Sequence, residues 1–134
     1  MKKKIILISA FSFLCFFIGV VIFETKKSSD NNPEDVLVSY FYNMKEENID
    51  KAILYVDDKR FKNSYELRSF YLNEFNRVNL IDFRIVNISK IDQANTIIEA
   101  TFKLDDEGNI KDINNTFKLK KKNGKWKIYI DENS

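Results

Sequence analysis

A strand–turn–strand pattern near the C-terminus constrains the fold of this chain more than any other feature. Asn123-Gly124 lies between two stretches in which apolar and polar residues alternate. Asn-Gly is the strongest short-range hairpin signal, because a type I′ turn needs positive φ at both central positions. A turn centred there sets Leu119 opposite Ile128 and places Trp126 on the same apolar face. The rest of the chain must cover that face, because its apolar area gains free energy on leaving water.

The N-terminus has the pattern of a membrane segment. Three lysines precede the uncharged stretch Ile5 to Phe23, whose 19 residues would span about 28 Å as a helix, close to the hydrocarbon thickness of a bilayer. A cleaved signal peptide would end in an Ala-x-Ala-like site, and none precedes Glu24. A lipoprotein would carry a small residue before its cysteine, whereas Leu14 precedes Cys15. We therefore expect an uncleaved anchor.

These observations predict the domain organisation and the localisation. We expect a transmembrane anchor or signal peptide over residues 1–24, a linker over 25–32 and one domain over 33–134. Lysines at the start would hold that end in the cytoplasm. The chain is then a single-pass protein of a bacterial cell membrane with its C-terminal domain outside the cytoplasm, or a secreted protein if the segment is cleaved.

Composition excludes several classes of site. The chain has no histidine, which removes the commonest general base and the commonest metal ligand. Its single cysteine cannot form an intrachain disulfide. Five of its 22 basic and two of its 20 acidic residues lie in residues 1–32, so the remaining 17 and 18 carry a net charge of −1. We expect no metal, no cofactor and no nucleic acid as partner.

The first part of the domain is predicted to be helical. Asn32 and Pro33 suit the N-cap and first position of a helix whose apolar stripe continues to Met44. A second, shorter helix follows over about 49–56, and the stretch 57–62 reads as a charged connection. Asn63 and Glu66 have the spacing of a capping box and open a third helix that ends near Arg77.

From residue 79 onwards the apolar period changes from 3.6 to 2, which indicates strands. A turn that pairs Asp92 with Asn95 would set Asn87 opposite Ala100, Ser89 opposite Ile98 and Ile85 opposite Phe102. The next turn, at Glu107-Gly108, would set Ala100 against Asn115 and Phe102 against Ile113. The fold class is therefore α+β, with N-terminal helices packed on a curved, four-stranded antiparallel meander and preceded by one transmembrane or signal helix.

Three segments carry a resemblance to a known family: the opening helix 33–41 (PEDVLVSYF), the stretch 48–53 (NIDKAI) and the closing strand 123–128 (NGKWKI). Over residues 33–131 the chain resembles the nuclear-transport-factor-2-like superfamily, in particular its small bacterial secreted or lipoprotein-type members of unknown function. This resemblance implies a cone in which a curved sheet wraps the helices, with sites at its mouth. A cystatin-like lipoprotein domain is the alternative.

Polar residues predicted on the inner face of the sheet are the candidates for a ligand pocket. The predicted register brings three of them into one layer beside Ala100, and two tyrosines of the helices are within reach of that layer. The alternative is that these residues lie at a solvated part of the sheet and are satisfied by backbone and water. The pocket candidates are Tyr40, Tyr71, Asn87, Ser89 and Asn115.

The C-terminal hairpin is strongly basic, with six lysines and no acid over residues 117–130. Such a surface suits contact with anionic lipid headgroups, a wall polymer or an acidic partner. The alternative is a solvated face on which lysines protect a sheet edge. The predicted basic surface consists of Lys118, Lys120, Lys122, Lys125 and Lys127. Val86, Ile88 and Ile97 are predicted to point outward and could form a homodimer face.

These features favour a membrane-anchored, non-enzymatic binding module that faces outside the cytoplasm and contacts a protein partner or a small ligand. The resemblance further suggests an accessory role in conjugation or cell-envelope machinery. An isomerase- or dehydratase-like enzyme using the cone pocket is the alternative, and the absence of histidine and of an inward-facing acid counts against it. A purely structural subunit of an envelope complex is the third reading.

Overall fold

A computed structural model describes residues 31–133 of the chain. Three helices, a 3₁₀ turn over Ile53–Tyr55 and five strands follow one another. The helices are α1 (Pro33–Lys45), α2 (Ile49–Ala52) and α3 (Ser64–Arg77). The strands are β1 (Val56–Asp58), β2 (Val78–Lys90), β3 (Asn95–Asp106), β4 (Asn109–Lys122) and β5 (Lys125–Ile130).

Both long helices begin where the capping residues predict. The Asn32 side chain accepts a hydrogen bond from the Glu34 amide at 3.0 Å, and Pro33 fills the first helical position. Asn63 accepts from the Glu66 amide at 2.9 Å, while the Glu66 carboxylate accepts from the amide of Lys62. These bonds satisfy amides that the first turn of a helix leaves free.

The five strands form one mixed sheet in the order β1-β5-β4-β3-β2. The prediction of an antiparallel meander is confirmed for β2 to β5, but the predicted strand count of four is wrong. Val56–Asp58 pairs in parallel with β5 as a fifth strand, within a stretch assigned from sequence to the end of a helix and a charged connection. This segment has three residues, of which two are aspartates, so it is too short and too polar to show an alternation of apolar and polar residues.

The register of the C-terminal strands is as predicted. Leu119 lies opposite Ile128 and Lys121 opposite Trp126, while Ala100 lies opposite Asn115. Both turns have positive φ at the two positions that a type I′ turn requires, Glu107-Gly108 and Asn123-Gly124.

The predicted register between β2 and β3 is wrong. Ile85 pairs with Ala100, not with Phe102, and Asn87 pairs with Glu99. Two shifts interrupt this pairing, one between residues 80 and 82 and one between residues 85 and 87. Each shift leaves one extra residue on β2, the arrangement of a β-bulge. The prediction treats β2 as a regular strand, because the alternation of apolar and polar residues does not show where a bulge lies.

The hydrophobic core lies between α1 and the inner face of the sheet. Val36 and Leu37 of α1 are fully buried, as are Ile98 and Leu119 of the central strands. Trp126 is 4% exposed, so the face that the hairpin presents is covered as expected. The helices therefore occupy the concave side of the sheet, and the remaining space on that side lies at its two ends.

No helix among residues 31–133 is long and apolar enough to span a membrane. This finding contradicts the localisation predicted above, a single-pass protein of the bacterial cell membrane, and that localisation is withdrawn. The predicted anchor over residues 1–24 and the linker up to residue 30 lie outside the described residues.

Candidate functional site

A cavity of about 410 Å³ lies between the inner face of the sheet and the helices α1 and α3. We call it the sheet cavity. It occupies the end of the sheet where β2 begins, β3 ends and β4 begins. Most of its wall is aromatic or aliphatic, contributed by Tyr40, Phe41, Met44, Phe75, Val78, Leu80, Phe102, Leu104, Ile113 and Phe117.

The wall is apolar because two sequence periods converge on it. Alternate residues of β3 and β4 face inward, and the apolar stripe of α1 lies across them. Phe41 is the centre of this packing, with ring centroids 5.0 Å from Phe83, 5.3 Å from Phe117 and 5.8 Å from Phe102. Offset and edge-on aromatic contacts at these distances stabilise one arrangement of the rings. They fix the inner boundary of the sheet cavity.

The charged side chains that line the sheet cavity form two ion pairs. Arg77 lies 2.9 Å from Glu74, and Lys111 lies 2.7 Å from Asp106. The hydrogen bond from Lys111 and its positive charge hold the pKa of the Asp106 carboxyl below its usual value. Asn115 adds a neutral carboxamide to the wall. The cavity thus offers apolar surface, a neutral polar group and charges that are already paired.

Tyr40 connects the sheet cavity to a buried polar cluster. It lines the cavity, and its hydroxyl is hydrogen-bonded to that of Tyr71. Burial raises the pKa of Tyr71 to about 12, and the nearby Asp58 adds to the shift. Burial raises the pKa of Tyr40 well above its ordinary value, with Tyr71 and Asp58 contributing. Both phenols therefore stay neutral over the physiological range.

Asp58 and Arg60 form the charged part of this cluster. The Asp58 side chain is fully buried, and its two carboxylate oxygens accept hydrogen bonds from the Arg60 guanidinium at 2.9 and 2.7 Å. The guanidinium also lies 5.3 Å from the ring of Phe70 and 5.5 Å from that of Phe61. Sequence reasoning missed this pair. The available signal was an aspartate two residues before an arginine, because an Asp side chain commonly accepts the backbone amide two residues on, as the Asp58 carboxylate does from Arg60 at 3.1 Å.

The structure brings together some of the predicted pocket residues and separates others. Tyr40 and Asn115 line the sheet cavity, and Tyr71 is buried behind Tyr40 without lining it. Asn87 and Ser89 lie on the opposite face of the sheet, where the Asn87 carboxamide is 3.4 Å from the Ser89 hydroxyl. The cause is the β2–β3 turn, which sets Lys90 opposite Thr96, one residue from the predicted register, and a one-residue slip turns a side chain to the other face.

The predicted basic surface divides into engaged and exposed lysines. Lys120 and Lys127 pair directly across β4 and β5. The Lys120 ammonium lies 3.7 Å from the centre of the Tyr129 ring, and that of Lys127 donates to the Leu54 carbonyl, so the two charges are held apart. Lys118, Lys122 and Lys125 are exposed.

Among residues 31–133, no group of three or more His, Cys, Asp or Glu side chains is placed to hold a metal ion. The polar groups that a small molecule could reach in the sheet cavity are therefore those of Tyr40, Asn115 and the two ion pairs.

Neither protein-family models nor curated proteins match the sequence. Solved structures do match. A SEC-C motif containing protein from Rhodopseudomonas palustris has a TM-score of 0.64 at 14% identity over 75% of this chain and 77% of its own. A ketosteroid isomerase-like protein from Erwinia carotovora atroseptica has a TM-score of 0.57 at 16% identity, over 72% of this chain and 87% of its own. An NTF-2-like protein of unknown function from Shewanella oneidensis has a TM-score of 0.55 at 16% identity, over 72% of this chain and 94% of its own.

These similarities concern the fold, since the identities are 14 to 16%. One of the three proteins is described as ketosteroid isomerase-like and another as of unknown function, so the shared architecture does not by itself indicate an activity. The expected absence of catalysis accordingly stays a prediction. The helices packed on a curved sheet and the structural matches agree with the resemblance seen in the sequence: the chain has the nuclear-transport-factor-2-like fold.

Proposed function

We propose that this chain is a non-enzymatic binding module that holds an uncharged, apolar small molecule in the sheet cavity. The observation that carries the proposal is the cavity wall itself. Its volume of about 410 Å³ lies within the range of small-molecule sites, which are lined mainly by apolar side chains with a few polar groups. An apolar ligand gains the free energy of leaving water, and the Asn115 carboxamide gives it one polar contact.

The polar groups of the cavity wall favour binding over catalysis. A general base needs a group that accepts a proton near neutral pH. The two carboxylates of the wall, Glu74 and Asp106, each hold a cation at less than 3 Å. The Tyr40 hydroxyl is engaged with Tyr71, and its raised pKa keeps it protonated. The described lining residues thus leave no free base, and the chain has no histidine.

An enzyme that uses the same cavity is the second candidate. It is favoured by the ketosteroid isomerase-like protein among the structural matches. The two candidates differ in turnover, so incubation with a ketosteroid and detection of an isomerised product separates them. We expect binding without product.

Two asparagines, one on each of the strands that flank β3, provide a matched test of the binding site. The dye N-phenyl-1-naphthylamine is uncharged and fluoresces in apolar surroundings, so its titration reports occupancy of an apolar cavity. Asn115→Trp places an indole inside the sheet cavity, and we expect it to raise the Kd of the dye at least about tenfold. Asn87→Trp makes the same change on the other face of the sheet and should alter the Kd by less than about twofold.

The two variants also control for folding, because both should keep the far-ultraviolet circular dichroism of the unmodified chain. Equal affinity of the dye for the Asn115→Trp and Asn87→Trp variants would show that the dye binds elsewhere. In that case the proposed binding function of the sheet cavity is rejected. The predicted accessory role in conjugation or cell-envelope machinery remains a prediction that this test does not address.

A further inference from the structure

A second recess lies at the other end of the sheet, where β2 and β4 end and β5 begins. It has a volume of about 640 Å³ and separates the start of α1 from the β2–β3 and β4–β5 turns. We call it the basic groove. It is lined by Asn31, Asn32, Pro33, Glu34, Ile88, Lys90, Gln93, Lys121 and Trp126 and shares none of these residues with the sheet cavity.

Two lysines of the groove carry exposed charges. Lys90 and Lys121 are both exposed, and neither takes part in an ion pair within residues 31–133. Glu34 is the acid of the lining. The nearby Asp92 carboxylate is occupied by the Ala94 amide at 2.7 Å and by the Asn95 carboxamide at 2.9 and 2.8 Å. The excess of positive charge is therefore open to a partner.

The lysines of the hairpin tip extend this positive field. Lys122, the last residue of β4, pairs with Lys125, the first residue of β5. This pair lies next to that of Lys121 and Trp126. Protection of a sheet edge accounts for Lys125, since that end of β5 has no strand beyond it in the described sheet. It does not account for Lys121, because β4 lies between β3 and β5. The charge on the groove side of β4 thus has no structural use in the sheet.

Apolar side chains lie among these charges. Ile88 lines the groove and is 40% exposed, and Ile91 in the adjoining turn is 61% exposed. Trp126, which is 4% exposed, also belongs to the lining. A phosphate polymer would satisfy the lysines and leave this apolar surface in water. An acidic polypeptide with apolar side chains satisfies both.

We propose that the basic groove binds an acidic segment of a protein partner that also carries apolar side chains. Carboxylates of the segment lie against Lys90 and Lys121, and an apolar side chain covers Ile88. The field of the hairpin tip raises the rate at which such a segment encounters the groove. The groove and the sheet cavity are at opposite ends of the sheet, so this proposal stands or falls independently of the cavity ligand.

Trp126 gives a direct readout, because it is the single tryptophan of the chain and lines the groove. The probe is a peptide of about nine residues made of Glu-Glu-Leu repeats, titrated into the full chain at low ionic strength while tryptophan emission is recorded. We expect a saturable change in emission. Lys90→Gln combined with Lys121→Gln should raise the Kd at least about tenfold.

The matched control removes the same charge elsewhere. Lys51→Gln combined with Lys62→Gln changes two exposed lysines outside the groove and should raise the Kd by less than about twofold. Replacing the leucines of the peptide by serine should weaken binding. Three results would overturn the proposal: no change in emission with the peptide, equal weakening in both double variants, or sodium polyphosphate binding as tightly as the peptide.

Discussion

At the scale of single residues, Asp58 has the most constrained environment of the acidic side chains. Among the described charged residues it is the buried one, and Arg60 satisfies both of its carboxylate oxygens. A buried charge is tolerated only with such partners, because desolvation of an unpaired carboxylate costs several kcal/mol. The neighbouring Asp57 forms a similar pair with Lys59 at 2.7 Å, but the side chains of Asp57 and Lys59 are both partly exposed. The two aspartates therefore differ in burial more than in chemistry.

This difference predicts unequal effects of the same substitution. Asp58→Asn leaves the Arg60 guanidinium without its counter-charge, and we expect the free energy of unfolding to fall by roughly 2–4 kcal/mol, the cost for a buried pair reduced by the partial exposure of Arg60. Asp57→Asn breaks an exposed pair and should cost less than about 1 kcal/mol. Urea denaturation of both variants measures the two values. Equal losses would show that the burial of Asp58 carries no energetic weight.

At the scale of secondary-structure elements, the C-terminal hairpin and β2 differ in what their sequences determine. The Asn123-Gly124 turn fixes the hairpin register, because few residues tolerate positive φ at two adjacent positions. Strand β2 is joined to β3 by a turn in which the Asp92 carboxylate accepts the Ala94 amide, and two bulges then shift the pairing. The residues of the turn therefore determine the register between β4 and β5. The register between β2 and β3 also depends on the positions of the bulges.

The hairpin register has an energetic consequence at Trp126, which should contribute to the core. Removing a buried tryptophan side chain leaves a cavity, so Trp126→Ala should lower the free energy of unfolding by roughly 3–5 kcal/mol. Chemical denaturation followed by circular dichroism measures the change without relying on tryptophan emission. A loss below about 1 kcal/mol would contradict the inward position of Trp126.

The helices, their caps and four of the five strands can be predicted from the sequence because they depend on local signals. Capping residues, apolar periods and the Asn-Gly turn act within a few positions of the chain. The fifth strand, β1, depends on pairing with β5, which is about 70 residues away in sequence. Among the site residues, Tyr40 and Asn115 were found from their periods. Asn87 and Ser89 lie on the other face because the β2–β3 turn sets a register one residue from the predicted one. The Asp58–Arg60 pair depends on tertiary burial.

At the scale of the whole molecule, the helices leave two recesses at opposite ends of one sheet face. The sheet cavity is apolar with paired charges, and the basic groove is open with unpaired lysines in the described chain. Next to the sheet cavity, Tyr40 and Tyr71 lie in the packed interior, where burial disfavours their ionised forms. The stability of the fold should therefore depend on pH in the alkaline range, through the ionisation of these two tyrosines.

This coupling predicts a loss of stability above about pH 10. Unfolded tyrosines titrate near pH 10, whereas the folded pKa of Tyr71 is about 12 and that of Tyr40 is raised well above its ordinary value. Between these values the unfolded chain releases protons that the folded chain keeps. Stability is therefore fully present below pH 10 and falls as the pH rises towards 12, by up to about 1.4 kcal/mol per pH unit for each group.

Urea denaturation at a series of pH values from 8 to 11.5 measures this effect. The control is the double variant Tyr40→Phe with Tyr71→Phe, which removes both hydroxyls and should show a flatter fall in stability with pH. An identical pH dependence in the unmodified chain and the double variant would mean that the two phenols do not cause the loss.

Binding of an apolar small molecule in the sheet cavity can be located residue by residue. The experiment is an amide nuclear magnetic resonance titration of the chain with N-phenyl-1-naphthylamine. We expect the largest chemical-shift changes at residues that line the cavity, such as Val78, Leu104 and Asn115, and none at Asn87 and Ser89 on the other face. Shifts centred on Asn87 and Ser89, or spread evenly over the surface, would contradict the account.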